Sequence, residues 1–423
     1  MTTFSIKHDI KRVILEEKEI FYSILVTVVI SLFLVISHIN GSLGDASYYI
    51  SNGERLFEGE NAYEDGFRSG PLGAIYLYIL SLMFAQPLLE LILQFCNIIG
   101  PILFVTLLFG NKRQAIKYWP ILIMFSAFRE LLVNHQINGF ILVLLSVFLI
   151  SRKSEKLQVN LAGNFAAVLA LDLKPHLVIP IILSLTLLKR DWINLLMIVA
   201  ITTMLHISIN IHLKTITETQ WVQNLREISN APGNSDWADI FNVWPLIDQI
   251  INAPGVLKVI ALSTFLVLCL ALPTISKKTS VNTGTYIALA TPLIGVYGHF
   301  YDLVPFLLIS FLYLEKYSDQ AYIWFFVNCA LIFRGVDSLN EAIFLTVANS
   351  FLLGLSIRDR YLKKARILKS SVYGITLYLV FHELTENLIT DENIMRSFLI
   401  SFIGFVTFFS TIKKISRMQG VVK

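Results

Sequence analysis

Charge-free apolar runs recur along this chain from end to end. The first, Ile20 to Ser37, is 18 residues long, close to the ~20 that an α-helix needs to cross a ~30 Å hydrocarbon layer. Similar runs predict helices over roughly 20–39, 88–110, 119–134, 137–151, 159–173, 176–188, 193–211, 253–275, 283–298, 303–316, 320–334, 341–357, 370–386 and 394–412. Backbone in hydrocarbon must satisfy its own hydrogen bonds, so the expected fold class is all-α, a polytopic transmembrane bundle of about 12–14 spans. Glu16, Glu17, Lys18 and Glu19 precede the first run and no small-residue cleavage site follows it. It reads as a retained helix and not as a signal peptide.

Leu72 to Gln86 breaks the pattern. It is apolar but only about 15 residues, too short for a full crossing, and Pro87 follows it. If it spanned, every later loop would change sides. The expectation is a juxtamembrane or re-entrant helix, which is tolerated only where protein or a water-filled cavity surrounds it.

Composition agrees with a membrane protein. Of 423 residues 55% are hydrophobic and 15% charged, with a mean hydropathy of +0.66, outside the range of soluble domains. With the N-terminus in the cytoplasm, segments 1–19, 111–118, 152–158, 189–192, 276–281, 315–320, 357–369 and 413–423 hold 25 of the 34 Lys and Arg. This is the positive-inside bias, and it puts both termini in the cytoplasm. The acids run the other way, 21 of 30 lying elsewhere. Asp and Glu do not set topology, so their excess points to an exterior functional face. The basic residues are dispersed, which excludes nucleic acid as a partner. Cys96, Cys269 and Cys329 all lie in apolar runs, and neither a disulfide framework, nor a metal site, nor a cofactor is expected. No Gly-rich phosphate loop, HExxH or nucleophile elbow occurs.

Two exterior loops are long, 40–71 and 212–252. The second carries Trp221, Trp237 and Trp244, which suit a membrane interface. The first holds Asp45 just beyond the first span, in DASYYISNGERLF. Tyr49, Ile50, Leu56 and Phe57 recur there at helical spacing, predicting a short amphipathic helix on the outer surface. Asp45 is either a cap of that helix or a carboxylate base at the membrane boundary, its pKa raised by partial burial. Tyr48 and Tyr49 follow it.

Other outer turns carry further candidates. Asn134-His135-Gln136-Ile137-Asn138 offers Gln136 and Asn138, amides suited to sugar hydroxyls. Leu171-Asp172-Leu173-Lys174-Pro175-His176 places Lys174 where positive charge is disfavoured; it reads as a lysine snorkelling or paired with Asp172, or as a cation for a lipid-linked phosphate with His176 beside it. Gly298-His299-Phe300-Tyr301-Asp302 sets His299 and Asp302 three apart, one helical turn. Arg68, Arg226 and Arg334 are further phosphate candidates, and Arg129 with Glu130 reads as an intramembrane ion pair.

Taken together and in this order, the turns resemble those of the GT-C superfamily of polytopic glycosyltransferases. More closely, they resemble its bacterial polyprenyl-phosphate-mannose-dependent α-mannosyltransferases. The residues that carry the likeness are Asp45 in GDASYY, Tyr63 and Gly70-Pro71-Leu72, Gln136 and Asn138, Lys174-Pro175, and His299, Tyr301 and Asp302. Two departures stand out: Gly70 replaces a proline, and His135 replaces the glycine before Gln136. The resemblance covers about the first 310 residues. It implies a single domain with a catalytic module over 1–316, extracytoplasmic juxtamembrane helices, and additional helices over 317–423. It further implies a bacterial cytoplasmic-membrane enzyme that moves a hexose, with inversion, from a polyprenyl-phosphate sugar donor to a lipid-linked or glycan acceptor on the outer face. Asp45, helped by His299, would deprotonate the acceptor. Lys174, His176 and Arg68 would face the donor phosphate. Tyr48, Tyr49, Gln136, Asn138, Tyr301 and Asp302 would face sugar or acceptor. The competing class is a secondary transporter or flippase of lipid-linked saccharides, which would place charges near the bilayer midplane and show paired repeats.

Overall fold

A computed structural model of the protein describes residues 3–65, 67, 69–109, 111–123, 126–187, 191–214, 223–224, 247, 255–275, 281–294, 300–315, 404–413 and 415. Among them the chain is all-helical: α1 (Thr3–His38), α2 (Asp45–Phe57), α3 (Pro71–Met83), α4 (Gln86–Leu108), α5 (Lys112–Lys117), α6 (Trp119–Leu122), α7 (Ser126–Val133), α8 (Asn138–Ser151), α9 (Leu157–Leu173), α10 (Pro175–Leu187), α11 (Trp192–Leu213), α12 (Gly255–Ile275), α13 (Val281–Leu289) and α14 (Val304–Glu315). Among the described residues three helical stretches are long and apolar enough to cross a membrane: Glu17–His38 of α1, α4 and α11. Most of the apolar surface of α1 and α11 faces outward, with Phe33 71% and Ile211 72% exposed. Such faces are at no cost against lipid, where tails are as apolar as the side chains.

The short apolar segment is α3, 13 residues opening on Pro71, about 20 Å at ~1.5 Å per residue. Proline is suited to a first helical position because the amide there has no intrahelical partner. The predicted amphipathic helix is α2. It buries Ala46, Tyr49, Gly53 and Leu56 and packs on α3, while Phe57, expected on its apolar face, is exposed. Gly53 permits the contact, since a Cβ there would lie 2.2 Å from the Ala74 carbonyl oxygen.

At the centre, α4 packs on α8, α8 on α9, and α14 on α4. The α4–α8 crossing is glycine-dependent: a Cβ on Gly139 would stand 2.1 Å from the Asn97 Cα, and one on Gly100 2.1 Å from the Gly139 carbonyl oxygen. Small residues at such crossings let backbones approach closely, the usual means of packing helices in a membrane. Next to this, α9 and α10 form a hairpin turning at Lys174, and α11 lies along α9, joined by Asn164–Asn194 and Asp172–His206 contacts.

Contacts between turns fall at two ends. Arg113 pairs with Glu17 at 3.1 Å, Lys117 with Glu19 at 2.8 Å, and Arg152 with Asp191, all in segments assigned by charge to the cytoplasm. The turns at 40–45, 134–138, 172–176 and 300–302 meet at the other helix ends.

Two expected spans differ from their forecast. Over 119–134 the described elements are the short α6 and α7, and over 283–298 the α-helix ends at Leu289 and gives way to a 3-10 turn, Thr291–Leu293, around Pro292. Proline lacks the amide that would continue the helix. The spans expected over 320–386 and nearly all of the 212–252 loop lie outside the described residues, and 404–413 is helical.

Candidate functional site

Three helix starts converge on one carboxylate. Asp302 sits in the 3-10 turn Phe300–Leu303 that leads into α14 and is 1% exposed. Its Oδ1 accepts from Asn138 Nδ2 at 2.6 Å and from Lys174 Nζ at 3.4 Å. Its Oδ2 lies 3.7 Å from His176 Nε2. Asn138 is the first residue of α8, and Lys174, Pro175 and His176 form the opening of α10. Helix N-termini carry partial positive charge and so favour a carboxylate placed among them. Lys174, 4% exposed, needs that carboxylate too, since a buried ammonium without a counter-charge loses its hydration uncompensated. Lys174 is therefore paired with Asp302, and not with its sequence neighbour Asp172 as one reading of the turn had it.

Two oxygens beside this cluster are unused. Asn138 directs its NH2 at the carboxylate, which fixes the amide's orientation, and its Oδ1 has no hydrogen-bond partner among the described residues; nor has Oε1 of the buried Gln136. Buried acceptors of this kind are few in folded proteins and call for a donor.

The helix that begins at Asp45 borders the same region. Gly44, at φ 49°, and not Asp45, holds the cap position of α2, and Asp45 lies in the first turn. Gly44 is pressed against the next motif, a Cβ there meeting the His135 Cβ at 2.4 Å. One turn on from Asp45, Tyr49 donates its hydroxyl to the Leu173 carbonyl at 3.2 Å, next to Lys174, and accepts from Ser69 Oγ at 3.1 Å. Asp45 thus starts a helix seated between the turn of Gln136 and Asn138 and the turn of Lys174 and His176. Tyr48 points away, 44% exposed, with its ring 5.6 Å from that of Phe67. His299, Arg68, and the side chains of Tyr301, Arg129 and Glu130 lie outside the described residues.

Asp172 has another task. Its Oδ2 accepts from the Gly73 amide at 2.8 Å, closing the N-terminus of α3 from a different helix, and its Oδ1 is 2.6 Å from His206 Nε2 on α11. Its backbone carbonyl accepts from the Gly70 amide at 2.7 Å. A proline at position 70 has no such amide, and a Cβ there would stand 2.2 Å from the Asp172 carboxylate, so glycine at this departure from the resembled pattern has a local cause.

Sequence reasoning missed one polar face. Glu90, Gln94 and Asn97 on α4 are spaced by four and three, so they share one side of an otherwise apolar helix, and all are buried. Glu90 accepts from the amides of Asn40 at 2.9 Å and Gly41 at 3.2 Å. Gln94 donates to the Leu132 carbonyl at 3.0 Å and contacts His135 Nδ1 at 2.8 Å. Asn97 donates to the Leu131 carbonyl at 3.3 Å and accepts from the Gly139 amide at 3.1 Å. Because Gln94 presents its NH2 to both partners, His135 Nδ1 is an acceptor and its proton sits on Nε2. Burial pushes the His135 pKa below its ordinary 6.5, against the pull of Glu90 and with a smaller push from His38. The signal was present in the sequence as three polar residues on one helical face.

Among the described residues no group of three or more His, Cys, Asp or Glu is placed to hold a metal ion. Comparison with protein-family models, with curated proteins and with solved structures returns no match.

Proposed function

We propose that the chain is a polytopic, membrane-embedded glycosyltransferase of the GT-C kind, transferring a hexose from a polyprenyl-phosphate donor to a lipid-linked or glycan acceptor on the extracytoplasmic face. The observation that supports this reading is the meeting of Asn138, Lys174, His176 and Asp302, which come from three separate turns up to 164 residues apart.

In the proposed reaction Asp45 takes the proton of the acceptor hydroxyl, whose oxygen attacks the anomeric carbon from the side opposite the phosphate. The bond from that carbon to the phosphate oxygen breaks, its electron pair leaves with the polyprenyl phosphate, and the configuration inverts. Lys174 and His176 meet the charge that grows on the departing phosphate, an arrangement effective because it is positioned before the reaction. Asp302 holds the Lys174 side chain in place, and the oxygens of Gln136 and Asn138 accept from sugar hydroxyls. His299, adjoining the described residues, orients the base.

The test is incubation of purified protein with radiolabelled polyprenyl-phosphate mannose, and with other hexose donors, against a panel of glycolipid acceptors. Label moves to an acceptor with wild-type protein and transfer falls by about 10²-fold or more in Asp45→Ala, the scale of general-base loss. Full activity of a folded Asp45→Ala, or no transfer from any such donor, overturns the reading.

A further inference from the structure

A membrane-length helix gains nothing from a polar face unless every group on it is matched, because unpaired polar groups in an apolar layer cost several kcal/mol each. On α4 those groups are matched, and their partners are chiefly main chain. Gln86 donates to the Gly41 carbonyl at 2.7 Å and Glu90 accepts from the Asn40 and Gly41 amides. One and two turns further on, Gln94 and Asn97 hold the backbone of Leu131, Leu132 and Gly139. The first pair grips the loop that delivers Asp45, and the second grips both flanks of the turn that delivers Gln136 and Asn138. His135, left-handed at φ 46°, is the point where the two gripped segments touch, through Gly44.

The space enclosed by Ser42, Leu43, Glu90, Leu93, Gln94, Asn97 and His135 has no room for a water-sized sphere. Among the described residues no ligand-sized space opens on these side chains. Their bonds act instead on where two backbone segments sit.

We propose that Glu90, Gln94 and Asn97 form a bracket on α4 that fixes the Asp45 loop against the Gln136–Asn138 turn, and that they are positioning residues of the proposed transfer reaction. The consequence for rate rests on the glycosyltransferase reading; the bracket itself does not. Glutamine at position 90 keeps one acceptor oxygen but turns an NH2 toward the second loop amide, so one grip becomes a repulsion. Methionine at 94 keeps the length and removes both bonds to the 131–135 segment.

The experiment places spin labels at Ser47→Cys and Val133→Cys, both exposed, in a background with Cys96, Cys269 and Cys329 replaced, and measures the inter-label distance distribution by pulsed electron resonance. Wild type gives one narrow distribution, and Glu90→Gln and Gln94→Met each give a broader or bimodal one. In the same variants kcat per folded enzyme falls by about 10- to 100-fold, the scale of a ~1 Å misplacement, while KM stays within about twofold, since ground-state contacts are unchanged. A lowered melting temperature with a distribution as narrow as wild type overturns the bracket, as does an unchanged kcat in an active enzyme. Should Glu90→Gln not fold, Gln94→Met decides. Should wild type transfer no sugar, the functional reading fails while the distance measurement still judges the bracket.

Discussion

At the scale of single residues, the Lys174–Asp302 pair makes a prediction that separates folding from chemistry. Both groups are buried, and removing one partner of a buried pair costs about 3–5 kcal/mol because the other charge is left uncompensated. Lys174→Met and Asp302→Asn therefore each lower the melting temperature in detergent. The double substitution recovers much of that loss, because no lone charge remains; under the proposed function it does not recover sugar transfer, because the cation proposed to face the leaving phosphate is gone. Additive losses in the double variant would contradict the pairing. His135 makes a prediction in pH. Its folded pKa is held below the ordinary 6.5 by burial, so the fold favours the neutral ring. Stability from this group is complete above pH ~6.5 and declines as pH falls through that value, where the unfolded chain takes up the proton first. His135→Asn, which tolerates the left-handed backbone, removes the His135 titration and flattens this part of the profile. Melting temperatures measured from pH 8 to pH 5 check it: parallel profiles for variant and wild type would place the titration elsewhere.

At the scale of elements, what was legible in the sequence follows from what a hydrophobic run can encode. The runs at 159–173, 176–188 and 193–211 correspond to α9, α10 and α11 within two residues at each end, because apolar length and a flanking Pro175 or charged turn mark where a helix enters and leaves an apolar layer. The Asp45–Phe57 helix was legible from its period. The interruption at Pro292 was present in the letters and was overridden by the apolar run around it. Partners across the bundle were not legible, since a run says that a face is buried but not against what. That is why Asp172 was one candidate partner of Lys174 while its carboxylate is Asp302, 128 residues away, and why the grip of α4 on two loops was missed. The α4–α8 crossing gives this scale its prediction. Gly139→Ala puts a methyl 2.1 Å from the Asn97 Cα and 2.3 Å from the Cys96 carbonyl oxygen, both main-chain atoms that cannot rotate aside. Overpacking of this kind costs about 1–3 kcal/mol, and here it also pulls the Gly139 amide from Asn97. A reduced melting temperature of Gly139→Ala is the expected result, and an unchanged one would contradict the close crossing.

At the scale of the whole molecule, the two ends of the bundle differ in how their turns are joined. One end joins its turns by ion pairs: Arg113–Glu17 and Lys117–Glu19 at the surface, which contribute ~0–1 kcal/mol apiece, and the more sheltered Arg152–Asp191. The other joins its turns by buried polar groups around Asp302 and Glu90, with amide oxygens that have no partner among the described residues. Lys and Arg concentrate in the segments of the first end, and the positive-inside bias assigns that end to the cytoplasm. A lipid-linked donor would then meet the Asp302 cluster from the opposite leaflet. In right-side-out vesicles carrying a cysteine-free background, a membrane-impermeant maleimide labels Ser47→Cys directly and labels Glu155→Cys only after permeabilisation; both positions are exposed in the fold, so access alone decides. The reverse pattern would place the cluster in the cytoplasm, facing nucleotide sugars and not polyprenyl-phosphate donors on the outer leaflet, and the substrate class would have to change with it.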